Sequence, residues 1–166
     1  QIHQLKERYI RLAMDKQALI DLINEAEVAE QVYNSNAIEN STLSLDDTEK
    51  ILEQIELDRY ISERELFEAK NLARVVTYIN SKAKESELSL DIMLLLHKML
   101  ISNIHDDIAG RFRKKDEWVR VGNHIAADPA HIIDLLKEML IQYFASDNEH
   151  IVKRVSKLHL SFEHIH

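Results

Sequence analysis

The sequence predicts an all-α fold that carries one small β-hairpin. Two glycines and one proline in 166 residues are few, whereas folds built from many strands use such residues at most of their turns. Apolar residues recur mainly at steps of three and four, the spacing that places side chains on one face of a helix. Only the segment around residues 117–126 alternates about a glycine-containing turn, which is typical of a hairpin.

Composition limits the classes of partner. A chain of this length fits one domain that buries about 70% of its unfolded surface, and the absence of cysteine agrees with a reducing cytoplasm. The 21 basic and 29 acidic residues leave a net charge of −8, so we expect no nucleic-acid partner. The apolar stretch Ile92–Ile101 is interrupted by His97 and Lys98 and is too short to cross a membrane.

The first elements are helices. One long amphipathic helix is expected from residue 2 into the thirties, on the spacing of Ile2, Leu5, Tyr9, Leu12, Leu19, Ile23, Ala26 and Val32. Ser44 with Asp47 three residues later predicts a capping box that opens a helix over about residues 45–56. A third helix is expected over Glu63–Lys82, with its apolar side formed by Leu66, Leu72, Val75, Val76 and Ile79.

The segment Leu90–Ile104 is apolar nearly all round, which predicts a central helix enclosed by its neighbours. Core candidates are Leu94, Met99 and Met139. After the hairpin, Asp128 and Pro129 predict an N-cap and a first helical residue, opening a helix that ends near Ala145.

The final helix has an apolar stripe that we expect to face the core, formed by Ile151, Val155, Leu158, Phe162 and Ile165. No repeat or linker is visible. The sequence therefore predicts one domain over residues 1–166, divided into an N-terminal helical part (1–44) and a core (45–166).

Two short patterns lie at the ends of predicted helices. His159, Phe162 and His166 are spaced three and four apart, and Ser35 and Glu39 four apart, so each set shares one side of its helix. From the residues alone, His166 could be a cation favoured by the helix dipole. Glu39 could equally be a solvated carboxylate. A functional role and a merely solvent-exposed position therefore both remain open for these residues.

The order of these patterns resembles one family. Leu158, Phe162, Ile165 and His166, preceded by Gly110-Arg111-Phe112-Arg113, are similar to the approach to the signature of Fic (Fido) domains, with His166 as the signature's first histidine. Ser35-Asn36-Ala37-Ile38-Glu39-Asn40 is similar to the Ser/Thr-x-x-x-Glu-Gly/Asn inhibitory motif of the subclass with an N-terminal inhibitory helix. The resemblance covers residues from about 30 to 166. It implies a Fic-type helical bundle with a hairpin flap.

The resemblance implies a protein adenylyltransferase (AMPylator). His166 would be the general base that takes a proton from a Ser, Thr or Tyr hydroxyl of a target protein, which then attacks the α-phosphate of ATP. A histidine that titrates near about 6.5 is largely neutral in the cell and can accept this proton. In the family, an acidic residue for Mg²⁺, a Gly-Asn-Gly phosphate loop and two arginines follow this histidine. We therefore expect a protein ending at His166 to be inactive, and the parent protein to continue.

The same resemblance assigns the remaining site residues. Glu39, with Ser35 and Asn40, would be inhibitory, because its carboxylate would pair with the second signature arginine where the ATP γ-phosphate belongs. The hairpin would be the flap. Its nucleotide-binding residues would be Val121, Gly122, Asn123 and His124, and its target-docking residues would be Val119 and Arg120, through edge pairing with the target. Lys114 and Ala127-Asp128-Pro129 depart from common family residues and leave the target open.

Other interpretations remain. The chain could be a non-catalytic protein-interaction or regulatory module, or a Fic relative with phosphotransferase or de-AMPylating activity; the residues that follow His166 in the gene would separate the first of these from an enzyme. A homodimer is also open. The sequence holds nine histidines, but His159, His164 and His166 do not share one helical face and no His-x-x-x-His occurs, so no dedicated metal site is expected.

Overall fold

The computed structural model describes residues 2–165, and within that range it contains eight helices and one two-stranded antiparallel sheet. These elements are α1 (Ile2–Ala13), α2 (Gln17–Ala26), α3 (Val28–Ile38), α4 (Leu45–Leu52), α5 (Glu63–Lys82), α6 (Leu90–Ile101), β1 (Arg120–Val121), β2 (His124–Ile125), α7 (Ile132–Ala145) and α8 (Ile151–Ile165). The predicted all-α fold with one hairpin is confirmed. The predicted base, His166, lies outside the described residues.

The chain divides into two compact units, Gln1–Glu85 and Ser86–His166, and each is described by itself. The first contains α1 to α5, and the second contains α6 to α8 with the hairpin. This boundary differs from the division at residue 44 that the sequence suggested. That residues 1–166 form one domain stays a prediction.

The single long N-terminal helix was a wrong prediction, because three helices occupy that stretch. α1 ends at Ala13, and Asp15 has a φ of 62°, a left-handed conformation that a right-handed helix cannot continue. Aspartate tolerates this conformation better than most residues do. The second interruption is slight, since Glu27 keeps helical dihedrals of −84° and −8°. Neither break contains glycine or proline, and the apolar spacing continues across both. No local signal in the sequence therefore marks them.

The core of the first unit forms where α3, α4 and α5 pack together. Its buried apolar residues are Val32, Leu43, Ile51 and Ala69, with Val28, Leu57, Ile61, Leu66 and Leu72 among those packed around them. α5 has the predicted bounds. α4 ends at Leu52, before the predicted residue 56, and Gln54 beyond it has a left-handed φ of 60°.

Reciprocal capping boxes open both α4 and α5. Ser44 Oγ accepts a bond from the N–H of Asp47 at 3.1 Å, while the Ser44 N–H donates to Asp47 Oδ2 at 2.9 Å. Ser62 and Glu65 repeat this arrangement at the start of α5. Each box satisfies main-chain donors that have no partner inside the helix. The predicted box at Ser44 is confirmed.

Thr42 and Arg59 join the two helix starts. The N–H and hydroxyl of Thr42 donate to Glu65 Oε1 at 2.9 and 2.7 Å. Arg59 Nη2 donates to the Thr42 carbonyl at 3.0 Å and to Asp47 Oδ2 at 2.8 Å. The carboxylates of Asp47 and Glu65 therefore each bind the start of their own helix and a neighbouring segment. The chain that follows α3 is fixed to α4 and α5 by these bonds.

These contacts lower the pKa of both carboxyl groups. Bonds from Arg59 and then from Ser44 hold the pKa of Asp47 well below its ordinary range. The Thr42 hydroxyl, the Thr42 N–H and the Ser62 hydroxyl lower the pKa of Glu65 from 4.5 to about 2. A carboxyl with a depressed folded-state pKa stabilises the fold above its ordinary pKa. That contribution is lost as the pH falls through the folded-state value.

Replacing Glu65 tests this network. We expect Glu65→Ala to lower the free energy of unfolding at pH 7 by about 2 kcal/mol, because charge-assisted bonds to Thr42 and the α5 cap disappear together. The difference from the unchanged protein should shrink between pH 4.5 and about 2, where the Glu65 carboxylate becomes protonated. Urea unfolding followed by circular dichroism at several pH values measures both effects.

Glu63→Ala is the matched control for this experiment, since Glu63 is an exposed carboxylate in the same first turn of α5. It should cost about 0.5 kcal/mol through the helix dipole alone. Equal losses for the two variants would contradict a special role for the Glu65 bonds.

In the second unit, α7 supplies most of the core. The buried cluster consists of Ile132, Leu136, Met139 and Leu140 of α7 with Ile165 of α8. The prediction that α6 is the enclosed central helix was wrong: none of its residues is buried, and Leu95 is 38% exposed. Met139 is confirmed as core, whereas Leu94 and Met99 are only half-buried. Hydrophobicity all round a helix predicts burial but does not identify the neighbours that would cover it.

Two further boundaries differ from expectation. The Asp128 side chain accepts a bond from the Ala130 N–H at 2.9 Å, and its carbonyl accepts one from the His131 N–H at 2.9 Å. These bonds form a separate turn, so α7 begins at Ile132 and not at Pro129. Aspartate followed by proline is compatible with either a turn or a helix start, because the same side-chain oxygen serves both.

The apolar stripe of α8 faces the core only in its C-terminal half. Leu158, Phe162 and Ile165 pack there. Ile151 and Val155 are 49% and 47% exposed, so the prediction was wrong for the first half of the helix. The well-packed half is the one that leads to residue 166.

Candidate functional site

The predicted inhibitory motif forms the C-terminal end of α3. Glu39 is the C-cap residue, and Asn40 after it has a left-handed φ of 62°. The Asn40 N–H donates to the Ala37 carbonyl at 3.2 Å, and the Ser41 N–H donates to the Asn36 carbonyl at 3.1 Å. A left-handed residue with these two bonds is a Schellman motif. The motif position that takes glycine or asparagine is therefore the residue that turns the chain out of the helix.

This helix end leaves the motif side chains in solvent. Ser35, Glu39 and Asn40 are all exposed. The segment immediately after them is held by the Thr42 bonds to Glu65. The Glu39 carboxylate thus extends from a backbone that is fixed on both sides, and it is accessible to a positively charged partner.

The hairpin lies where the sequence predicts it. Arg120 pairs with Ile125 and Val121 with His124, and the Ala126 N–H donates to the Val119 carbonyl at 3.1 Å, which extends the pairing. Gly122 occupies the first turn position with a φ of 58°. A glycine at that position is typical of a type II′ turn, in which the order Gly-Asn is as suitable as Asn-Gly is in a type I′ turn.

The structure brings all six predicted flap residues together on this hairpin. Val121, Gly122, Asn123 and His124 form its exposed tip, with Val121 69% exposed. Arg120 is exposed and Nε donates to the Gly122 carbonyl at 3.1 Å across the turn. Val119 is half-buried at the base. Among residues 2–165 the sheet has two strands only, so each strand keeps one main-chain edge available.

Gly110 and Arg111 hold the loop that leads to the hairpin. A Cβ atom on Gly110 would lie 2.7 Å from Lys98 Cβ, and its φ is 72°, so only glycine fits this approach to α6. The Arg111 guanidinium binds Glu117 through two bonds of 2.6 and 2.8 Å. This contact, with the Lys114 N–H, lowers the pKa of Glu117 to about 2. The ion pair therefore closes the loop over residues 111–117.

The last turn of α8 lies beside the hairpin. The rings of His124 and His164 are 5.7 Å apart and meet edge to face at 78°. Arg113 Nη2 donates to the Ala127 carbonyl at 3.1 Å and to the Ile165 carbonyl at 2.9 Å. The predicted tip residues and the helix that carries the predicted base are thus neighbours within the second unit.

Sequence reasoning did not predict the contacts that Arg113 and His164 make here. Arg113 was noted only as part of the Gly110-to-Arg113 pattern. Its acceptors lie 14 and 52 residues away, and no local spacing signals such contacts. His164 was considered only as a metal ligand, although its place two residues before His166 could have drawn attention to it.

Within residues 2–165, no group of three or more His, Cys, Asp or Glu side chains is arranged to hold a metal ion. No helix in the same range has the length and apolar character needed to cross a membrane. The absence of a metal cluster leaves the expected Mg²⁺ untested.

Comparison with known proteins gives consistent matches. Residues 87–166 match the family model described as Fic/DOC family. The chain is 27% identical over 180 aligned residues to the protein adenylyltransferase Fic of Drosophila grimshawi, an alignment that covers 99% of this chain and 36% of that protein. It is 32% identical over 112 residues to the protein adenylyltransferase fic-1 of Caenorhabditis elegans, covering 66% of this chain and 22% of that protein.

A solved structure has the same fold. A Fic family protein from Desulfovibrio desulfuricans G20 superposes with a TM-score of 0.73 at 22% identity, covering 99% of this chain and 49% of that one. The chain spans about a third of the length of the curated relatives that it matches over nearly its whole extent.

The family match and the geometry concern the same part of the chain. Residues 87–166 include α6, α7, α8 and the hairpin. The inhibitory motif lies before the matched range, so the subclass with an N-terminal inhibitory helix stays a prediction. The matching family model, the related sequences and the shared fold agree with the predicted Fic-type bundle. Residues 87–166 match the Fic/DOC family model, and the chain has the fold of a solved Fic family protein.

Proposed function

We propose that the protein containing this chain is an adenylyltransferase that transfers AMP from ATP to a Ser, Thr or Tyr hydroxyl of a target protein. The observation that carries the proposal is the family match at residues 87–166. Relatives named protein adenylyltransferase align with 99% of the chain, which supports the same chemistry. The exposed hairpin beside α8 supports a place for the two substrates.

In the proposed reaction, His166 takes the proton from the target hydroxyl. The hydroxyl oxygen forms a bond to the α-phosphorus of ATP, and the bond to pyrophosphate breaks. A neutral imidazole near its ordinary pKa suits this proton transfer. Mg²⁺ would arrive with ATP and neutralise phosphate charge, held mainly, as the resemblance implies, by the acidic residue that follows this histidine in the family.

The hairpin would orient the target. Its short strands have open edges, and main-chain bonds to an extended peptide require little of the peptide's sequence. Val119 and Arg120 would contact the target, and Val121, Gly122, Asn123 and His124 would lie over the nucleotide. The exposure of the tip residues supports this assignment.

Glu39 would restrain the reaction. Its exposed carboxylate extends from a helix end that the Schellman motif and the Thr42 bonds make rigid. A guanidinium of the signature could bind such a carboxylate through two charge-assisted bonds, in place of the ATP γ-phosphate. Ser35, four residues earlier on α3, and Asn40, which ends the helix, would complete the inhibitory element.

Location and assembly belong to the same proposal. A cytoplasmic location is supported by a chain without cysteine. A homodimer is also open, and oligomeric-state measurements on the full-length protein would decide it.

The inhibitory role is tested in the full-length protein. We expect Glu39→Gly and Glu39→Gln to raise AMP transfer about tenfold or more, the size of a typical coupling between an inhibitory contact and a ligand site. Incorporation of label from α-labelled ATP into the protein itself or a target measures this. The matched control is Glu30→Gln, an exposed glutamate of the same helix outside the motif. Equal labelling by the Glu39 variants and the unchanged protein would refute inhibition by Glu39.

The chemistry is tested in the Glu39→Gly protein. Label should transfer from α-labelled ATP and not from γ-labelled ATP. We expect His166→Ala to lower the rate by about 10²- to 10⁴-fold, the usual contribution of a general base. His159→Ala, which removes an exposed histidine of α8, is the matched control. Transfer of the γ-label would instead identify a phosphotransferase, and no transfer of either label would favour the non-catalytic module.

A further inference from the structure

We propose that Arg113 is a positioning residue. It ties the last described turn of α8 to the segment after the hairpin and so sets the position of His166 relative to the flap. The inference rests on the proposed function and deepens it. No contact of Arg113 with substrate is required, since it acts through the main chain on either side of the predicted site.

The two acceptors of Arg113 belong to the two elements that must stay aligned. Nη2 donates to the carbonyl of Ala127, two residues after β2, at 3.1 Å, and to the carbonyl of Ile165, at 2.9 Å. The Ile165 carbonyl is part of the peptide bond that leads into residue 166. The Ile165 side chain is buried in the core, so the bond fixes a main-chain group that is already anchored on its other side.

The chemistry of the guanidinium suits this position. It is planar and always charged, and one nitrogen can serve two acceptors at fixed angles. A positive charge beside a carbonyl near the C-terminal end of a helix is also favoured by the helix dipole. Lysine would present a single mobile donor group in place of this rigid fork.

Arg113 Nη1 is buried and has no partner within residues 2–165. The described hydrogen bonds of the side chain are those of Nη2. An unbranched apolar side chain of similar length would keep the packing of the stem but take this donor away from the Ala127 and Ile165 carbonyls. Arg113→Met therefore removes the tie and, like Arg154→Met, lowers stability.

Arg154 provides a matched control within the same unit. It also donates to a main-chain carbonyl, that of Tyr143 at 3.0 Å, and it pairs with Asp147 at 2.8 Å. Like Arg113, it has one buried nitrogen without a partner in residues 2–165. It lies on α8 eleven residues before Ile165, about 16 Å along the helix. Its loss should cost stability without disturbing the end of α8.

The kinetic test uses the full-length protein with Glu39→Gly. We expect Arg113→Met to lower kcat for AMP transfer about 10- to 100-fold, because a misplacement of about 1 Å at a reacting group has effects of this size. The KM for ATP should change by less than about threefold, since no ATP contact is removed. Arg113→Lys should recover part of kcat. Arg154→Met should leave kcat within about twofold, although its melting temperature falls.

Hydrogen–deuterium exchange on the same variants gives a readout that needs no catalysis. In Arg113→Met, amide exchange should rise together in residues 119–127 and 160–165, whereas Arg154→Met should change neither segment. Unchanged exchange in Arg113→Met, or an equal loss of kcat in Arg154→Met, would overturn the positioning role. If the Glu39→Gly parent transfers no AMP, the proposed function fails by itself, and the exchange experiment still decides whether Arg113 ties the two segments.

Discussion

Main-chain groups left unpaired at helix ends are the constraint on which both units depend. A helix cannot satisfy its first N–H groups or its last carbonyls internally, and this chain has only two glycines and one proline with which to shape its exits. Side chains other than those of glycine and proline therefore begin and end the helices. Serines with acidic partners open α4 and α5, asparagine turns the chain out of α3, and an arginine serves the final carbonyl of α8.

The parts assigned to function are attached to these same helix ends. Glu39 is the C-cap residue of α3, and the segment after it is bonded to the start of α5. The hairpin is flanked by the Arg111–Glu117 pair on one side and by the Arg113 bond to Ala127 on the other. In each unit the exposed residues with proposed roles therefore extend from backbone that is fixed nearby. This is the arrangement expected where position matters more than local flexibility.

Features with local signals could be predicted from the sequence, and features that depend on distant partners could not. Ser44 with Asp47, the bounds of α5 and the turn at Gly122 are encoded within a few residues, and the structure confirms them. The break at Asp15 was not predicted, because aspartate only sometimes adopts a left-handed conformation. The packing of α6 and the bonds of Arg113 depend on residues far along the chain. The proposed role of His166 rests on family resemblance, because its own surroundings in the sequence also suit a plain helix end.

The scarcity of glycine has a consequence for how this protein can evolve. Among residues 2–165, four non-glycine residues adopt left-handed conformations, namely Asp15, Asn40, Gln54 and Asn103. For Gln54, which is neither asparagine nor aspartate, this conformation costs about 1–2 kcal/mol more than it would for glycine. Glycine offsets only about 0.5–1 kcal/mol of this gain through the freedom of the unfolded chain. Replacing an exposed residue such as Gln54 by glycine should therefore raise the thermal stability. A lineage moving to a warmer habitat could gain it by single substitutions there, without altering the hairpin or the helix end that carries Glu39.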